Sequence, residues 1–224
     1  MSNKAIIDDG CNPELVLGAD FDGGLELPSI NPPNDLSIPS NLTPFSHREH
    51  ALGTNEAICF FEHDYIFSNV LKSPHEYIED LKRFKYVMPL DCSLYVDAPL
   101  PVQITNLYRS RMVGSYLQRH GVNIIPLVRW GNDLTYTTKY FPEKIAFLGI
   151  PKNSIIAIGT YGVMKKRKNR HFFQQGFAEM MSILTPKVIL VYGSMPHSVF
   201  APYFHQAKFV HYVDWITRKH KESC

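Results

Sequence analysis

At 224 residues, with 45% hydrophobic and 20% charged residues, the chain has the composition of an ordinary folded domain with room for one substantial core. It carries no long apolar span and opens MSNKAIIDDG without a charged-then-apolar leader. Neither membrane insertion nor export is therefore expected, and a bacterial or host-cell cytoplasm is the anticipated location. The net charge of +2 hides an asymmetry: residues 1–55 hold two basic residues, Lys4 and Arg48, against eight acidic ones, whereas residues 56–224 hold 21 basic and 13 acidic. An acidic arm precedes a basic body, which favours anionic partners for the body without implying sequence-specific recognition.

Residues 1–55 also carry six of the sixteen prolines, with only short apolar pieces such as Leu15-Val-Leu17. They are expected to form an irregular arm or wrapped cap before a single α/β domain at 56–224. Cys11, Cys59, Cys92 and Cys224 show no CxxC pair and no regular spacing, so free thiols are expected rather than a zinc ribbon or a disulfide framework. His47 and His50 could share a helical face, but the HExxH pattern is missing and no metal site is expected there.

Ala57 to Phe67, AICFFEHDYIF, reads as a first strand, and Ser73-Pro74 opens a helix to about Phe84, with serine as N-cap and proline at the first helical position. A second strand is expected from Tyr86 to Leu90, then a helix from about Pro101 to Arg119 with Val102, Leu107, Val113, Tyr116 and Leu117 inward and Arg111 on an exposed face. Val122 to Val128 reads as the third strand, in which Pro126 implies a bulge or an edge position because proline lacks the ladder donor. A short helix before Pro142 and a connection follow.

Ser154 to Met181 is the clearest βα unit: the β-branched run Ile155–Ile158, a turn Gly159-Thr160-Tyr161-Gly162, a basic loop at 165–170, and a helix capped by Asn169 with Phe173, Phe177, Met180 and Leu184 on one stripe. Val188–Val191, a helix from His197 to Gln206, a strand Phe209–Val213 and a basic tail complete the chain. The alternation predicts a mainly parallel sheet of about six strands, open or incompletely barrel-like, since six are too few for the eightfold barrel.

Ligands of such folds bind beyond the carboxyl ends of the strands. Here those ends read Asp64, then Asp91 with Ser93 and Tyr95, then Arg129-Trp130, then Thr160-Tyr161-Gly162, then Tyr192-Gly193-Ser194. Together they could line one polar cleft, although Ser93, Gly131 and Gly193 taken singly are ordinary turn residues. No Walker lysine motif or dinucleotide fingerprint accompanies them.

The ordered strings FFEHDYIF, MPLDCSLYVDAPLPVQITNLYRSR, NIIPLVRW, GIPKNSIIAIGTYG and ILVYGS resemble a bacterial and phage family catalogued as domain of unknown function 4417, over about residues 56–213. The resemblance implies a bacterial, phage or mobile-element context and brings no activity or catalytic residue with it. Its motif positions single out Asp64, Asp91, Ser93, Tyr95, Gln103, Arg109, Trp130, Thr160, Gly162, Gly193 and Ser194. One departure falls at Pro89-Leu90-Asp91, where relatives often carry proline directly before the aspartate.

Three functions fit these residues. The first is binding of a phosphate-bearing ligand, a nucleotide or nucleic-acid piece, at the strand ends. Arg109 and Arg129 would pair with phosphate, Trp130, Tyr95 or Tyr161 would stack on a base, and the backbone N–H groups of Thr160 to Gly162 and of the helix start at Asn169 would donate to the anion. If chemistry occurs, Asp64 and Asp91 are the general-base candidates or the holders of Mg2+, and they should approach each other. The second is a non-catalytic nucleic-acid-binding accessory protein that uses Lys165, Lys166, Arg167, Lys168 and Arg170. The third is a phage or mobile-element protein that binds and inhibits a host protein.

Overall fold

The computed structural model describes residues 12–35, 37–51, 55–164 and 166–222. The first two described segments supply short pieces: β1 (Phe21–Asp22) and β2 (Leu27–Pro28) pair antiparallel, and β3 (Leu42–Pro44) joins a parallel sheet. Leu15, Leu27, Ile30, Leu42 and Phe45 are all buried, so the arm contributes to the core and to the sheet. β4 (Ala57–Cys59) lies between β3 and β5 (Tyr86–Val87), both in parallel register. Between β4 and β5 run α1 (Ser68–Lys72), a 3-10 turn Pro74–Tyr77 and α2 (Ile78–Leu81). The continuous helix expected from Ser73 is thus broken into two short pieces, and the Ser73 side chain makes no capping hydrogen bond.

α3 (Leu100–Arg119) and α4 (Asp133–Tyr136) follow, then the second sheet: β6 (Ile155–Gly159), α5 (Arg167–Leu184), β7 (Val188–Tyr192), α6 (His197–Phe200), β8 (Lys208–Tyr212) and α7 (Trp215–Glu222). β6, β7 and β8 are parallel and in order. The protein is therefore a mixed α/β fold with two parallel sheets of three strands each, where a single sheet of about six strands was expected.

The reason lies in 122–128. This stretch makes only two isolated parallel bridges, Val87 with Ile124 and Leu127 with Ala157. Its first half leans on β5, where Ile125 N–H donates to Val87 O at 3.0 Å; its second half leans on β6, where Ala157 N–H donates to Pro126 O at 2.8 Å. Proline at 126 has no N–H to continue a ladder, so the segment changes neighbours instead of forming a full strand.

Alternation along the strands sorts their side chains. Ala57 and Cys59, Tyr86, Ile125 and Leu127, Ile155 and Ala157, and Val188, Leu190 and Tyr192 meet in one interior cluster drawn from both sheets. The intervening residues face helices: Ile156, Ile158, Ile189 and Val191 pack on Phe173, Phe177, Met180 and Leu184 of α5, and Ile58 and Val87 pack with Met112, Val113 and Leu117 of α3. Among the described residues no strand pairing runs from β8 back to β3, so no closed barrel forms. A hydrogen bond of 2.6 Å from the Tyr212 hydroxyl to Pro39 O ties β8 to the segment before β3.

α3 departs most from expectation. Val102 is exposed, whereas Gln103, Ser110, Arg111 and Ser115 are buried beside Leu107, Val113 and Leu117. Arg111, expected on a wet face, is 1% exposed, and its guanidinium donates to Leu148 O at 3.1 Å, Leu127 O at 3.0 Å and Ala146 O at 3.2 Å. Burial lowers its pKa to about 10, and the arginine ties α3 to two loops. Among the described residues no helix is long and apolar enough to cross a membrane.

Candidate functional site

The carboxyl ends of the parallel strands open onto one cleft of about 610 Å³, a volume in the range of small-molecule sites. His47 follows β3; Phe61, Glu62 and His63 follow β4; Asp91, Ser93 and Tyr95 follow β5; and Arg129 and Trp130 end the bridging stretch. Tyr161, Gly162, Lys166 and Asn169 enter after β6, Tyr192 ends β7, and Asp214, Trp215 and Ile216 follow β8.

Asp91 lies in the lining with its side chain only 7% exposed, and one carboxylate oxygen, Oδ2, pairs with Arg129 Nη1. Oδ1 is buried without a hydrogen-bond partner. Burial pushes the Asp91 carboxyl above its usual range, Arg129 opposes the rise and the charge of Asp64 adds to it. Asp64 is thus near enough to act on Asp91, but it is committed elsewhere: its carboxylate accepts from Ser93 Oγ at 2.7 Å and Ser93 N–H at 3.1 Å. Asn106 of α3 donates to Ser93 O at 2.7 Å and fixes the same turn. Among the described residues no group of three or more His, Cys, Asp or Glu is placed to hold a metal ion.

Several expected ligand contacts prove to be internal. Thr160 is 1% exposed, and its hydroxyl lies 2.6 Å from Ser194 O and 3.1 Å from Tyr192 O, joining the ends of β6 and β7. Gly193 has φ +102, and a Cβ there would meet Thr160 Oγ1 and Tyr161 N at 2.9 Å, so glycine is required for the close approach of these turns. The Tyr192 hydroxyl accepts from Trp215 N–H at 2.9 Å while its ring stacks on Phe61 at 4.8 Å, and burial raises its pKa. Ser194 is exposed and does not line the cleft; Arg109, half-buried on α3, reaches Asn106 Oδ1 at 3.5 Å and stands outside it. Trp130 is mostly core, its indole covering Gly176 of α5.

Gln103 is fully buried below the 131–132 turn, where it donates to Ala98 O at 2.8 Å. A Cβ on Gly131 would collide with its Oε1. The exposed residues of the lining are His63, Tyr95 at 64%, Asp97, Tyr161 at 55%, Gly162, Lys166 and Ile216.

The basic run is largely helix. α5 begins at Arg167 with Lys166 in the N-cap position, where Asn169 was expected. Arg167 and Lys168 are exposed in its first turn, and Arg170 folds back on Met164 O at 2.8 Å; Lys165 lies outside the described residues. No described side chain caps the helix start, and two of its cations lie in the first turn at the positive end of the macrodipole, where cations are unfavourable.

Sequence reading weighed His47 only with His50 as a metal pair, and missed Phe61, Asp214 and Trp215. The last two follow β8 and would have emerged had the strand-end rule been applied to the final strand. Trp215 stacks on His47 at 4.5 Å, and the cations of Arg218 and Lys219 lie over its ring at 4.5 and 4.8 Å.

Fold and cleft define a mixed α/β protein with a polar, aromatic-rimmed site at the carboxyl ends of parallel strands. The chain belongs to the family described as domain of unknown function DUF4417, whose model matches residues 19–213. It is similar to the Gene 1 protein of Mycobacterium phage L5, 29% identical over 175 residues, covering 77% of this chain and 72% of the relative. The Gene 1 protein of Mycobacterium phage D29 is 29% identical over 173 residues, covering 76% of this chain and 61% of the relative. These relatives place the chain in a phage context. No solved structure matches.

Proposed function

We propose that the protein binds a phosphate-bearing ligand of the nucleotide class in the strand-end cleft. The observation that carries this reading is the start of α5: an uncapped N-terminus of an 18-residue helix with Lys166 and Asn169 in the cleft lining and Arg167 and Lys168 between them in the first turn. Stacking cations on the positive end of a helix costs free energy in the absence of an anion, and an anion there gains both the N–H groups and the charge. Tyr161 and Tyr95 offer open faces for a base beside it.

Arg129 takes a smaller part than its charge suggests, because Asp91 neutralises it. The acids of the lining are tied to the protein: Glu62 to Ser46, Asp91 to Arg129 and Asp214 to Thr217, with Asp97 exposed. Phosphate therefore belongs at the α5 side, away from Asp91.

A thermal-shift panel of nucleotides and inorganic phosphate tests the reading. A ligand at 100 times its Kd stabilises by about 2.7 kcal/mol. At about 2–4 °C per kcal/mol for a chain of this size, that is a rise of roughly 5–10 °C. Lys166→Ala should abolish most of the rise with little change in the unliganded melting temperature. An unmoved melting temperature across the whole panel removes the reading.

A further inference from the structure

The turn after β5 presents an acid that the fold does not use. Four acids line the cleft, and three are held by the protein: Glu62 by Ser46, Asp91 by Arg129 and Asp214 by Thr217. Asp97 is exposed and makes no hydrogen bond or ion pair among the described residues. Tyr95, two residues before it, is 64% exposed and its hydroxyl is likewise unbonded. The backbone beneath these two side chains is, in contrast, pinned throughout. Asn106 donates to Ser93 O at 2.7 Å, Asn132 to Val96 O at 2.9 Å and the fully buried Gln103 to Ala98 O at 2.8 Å. Ala98 N–H closes the turn on Tyr95 O at 3.1 Å. A β-turn keeps its end Cα atoms within about 7 Å, so Tyr95 and Asp97 share a patch fit for one base. A turn fixed by three side-chain amides, with both outward side chains uncommitted, is prearranged for a ligand because little order remains to be imposed on binding.

We infer that Asp97 selects the base of the bound nucleotide and that this base is guanine, stacked on Tyr95 with its Watson–Crick edge on the Asp97 carboxylate. The inference rests on nucleotide binding in the cleft and names the end of the ligand opposite the phosphate. A carboxylate offers two acceptors and no donor. Guanine N1–H and N2–H point the same way and meet both oxygens in a pair of charge-assisted bonds. Adenine and cytosine set a ring acceptor beside their amino group, and uracil flanks its single N–H with two carbonyls, so each turns a lone pair toward the carboxylate. The charge of the lining agrees. Four carboxylates against the two fixed cations Arg129 and Lys166 make the cleft a poor host for a ligand that is anionic throughout, and a good one for a ligand whose other end donates hydrogen bonds. The same stretch after β5 holds a second acceptor without a donor, Oδ1 of the buried Asp91.

The test is calorimetric titration with guanosine, adenosine, cytidine, uridine and xanthosine monophosphates, and with guanosine itself. Guanosine monophosphate should bind at least about 10-fold more tightly than the adenosine, cytidine and uridine compounds, the scale of one hydrogen bond to a charged group. Asp97→Asn, checked for an unchanged melting temperature, presents one acceptor and one donor. It should lose the guanine preference and favour xanthosine monophosphate, whose O2 accepts where guanine N2 donates. Asp97→Ala should lose the preference and gain no other. Tyr95→Ala should weaken all the bases by similar factors, because stacking tolerates every base. Lys166→Ala should weaken the monophosphates and spare guanosine, which has no phosphate. Equal affinity for the guanosine, adenosine, cytidine and uridine monophosphates, or a guanine preference that survives both Asp97 changes, overturns the inference while nucleotide binding in the cleft stands. Guanine selection through Asp97 with affinity indifferent to phosphate and to Lys166 upholds it and removes the α5 phosphate site instead. Failure of every nucleotide and of guanosine to bind overturns both readings together.

Discussion

Replacing Arg111 with methionine isolates the least anticipated structural feature, a guanidinium without a carboxylate partner inside the fold. Methionine keeps much of the stem volume and removes the donors, leaving the carbonyls of Leu127, Ala146 and Leu148 without their bonds. Each buried carbonyl left unpaired costs about 1–3 kcal/mol, so the gross loss is about 3–9 kcal/mol. Against it stands the several kcal/mol no longer spent keeping a charge out of water. A net destabilisation of about 2–5 kcal/mol is expected, read as a lower urea midpoint with an unchanged slope. Arg111→Lys keeps the charge but presents three donors on one nitrogen, which cannot fan out to carbonyls from two loops, and should fall between the two. A loss below about 1 kcal/mol for Arg111→Met would show that the three carbonyls find other partners and that the arginine is not the tie.

Gly176→Ala should destabilise by about 1–3 kcal/mol and shift tryptophan fluorescence, since the new Cβ would collide with the Trp130 indole. Thr160→Val removes the hydroxyl that joins β6 to Ser194 and Tyr192, and should lower the melting temperature, with any change in ligand affinity following from that loss. Burial raises the thiol of Cys92 to about 12 and that of Cys59 further, so both should resist alkylation at pH 8 in the native protein and react only in denaturant, as mapped by mass spectrometry. The folded pKa of Asp91 is raised above 3.8, so the native state keeps a proton that the unfolded chain loses first, and stability falls as pH rises through that window and stays lower above it. Asp91→Asn should therefore gain on the wild type between pH 4 and pH 7 in urea titrations; a variant that loses ground over that range would mean that Arg129 outweighs burial.

The β6–α5–β7 unit was legible in sequence because its period signals are strong: Ile155–Ile158 is a continuous β-branched run, and Phe173, Phe177, Met180 and Leu184 form a clean helical stripe that the structure buries. The α5 start was misplaced because Asn169 is a good capping residue by type, while the chain places Lys166 there. The sheet count failed at Pro126, whose missing donor was visible but whose effect, a change of neighbours between β5 and β6, depends on both partners at once. Arg111 was misread because local pattern assigns a charged residue to water, and only tertiary contact shows three carbonyls waiting for it.

Pairing separates the polar residues at the strand ends into two kinds, and residue type alone could not. A hydroxyl or carboxylate already bonded inside the fold can serve a ligand only by abandoning its partner, at about 1–3 kcal/mol for each buried group left unsatisfied. Thr160, Asp64 and Ser93 are of this kind: they hold the strand-end turns together, and of the three only Ser93 lines the cleft. Tyr95, Tyr161 and Lys166 spend nothing on the fold that exposure to water does not already supply, and they stand at its rim. Asp91 belongs to neither group, with one oxygen held by Arg129 and the other buried without a partner. Its pairing with Arg129 leaves little net charge at the floor of the β5 end of the cleft, whereas Lys166, Arg167 and Lys168 gather positive charge at the α5 start, and that contrast favours an anion on the α5 side over one at the floor.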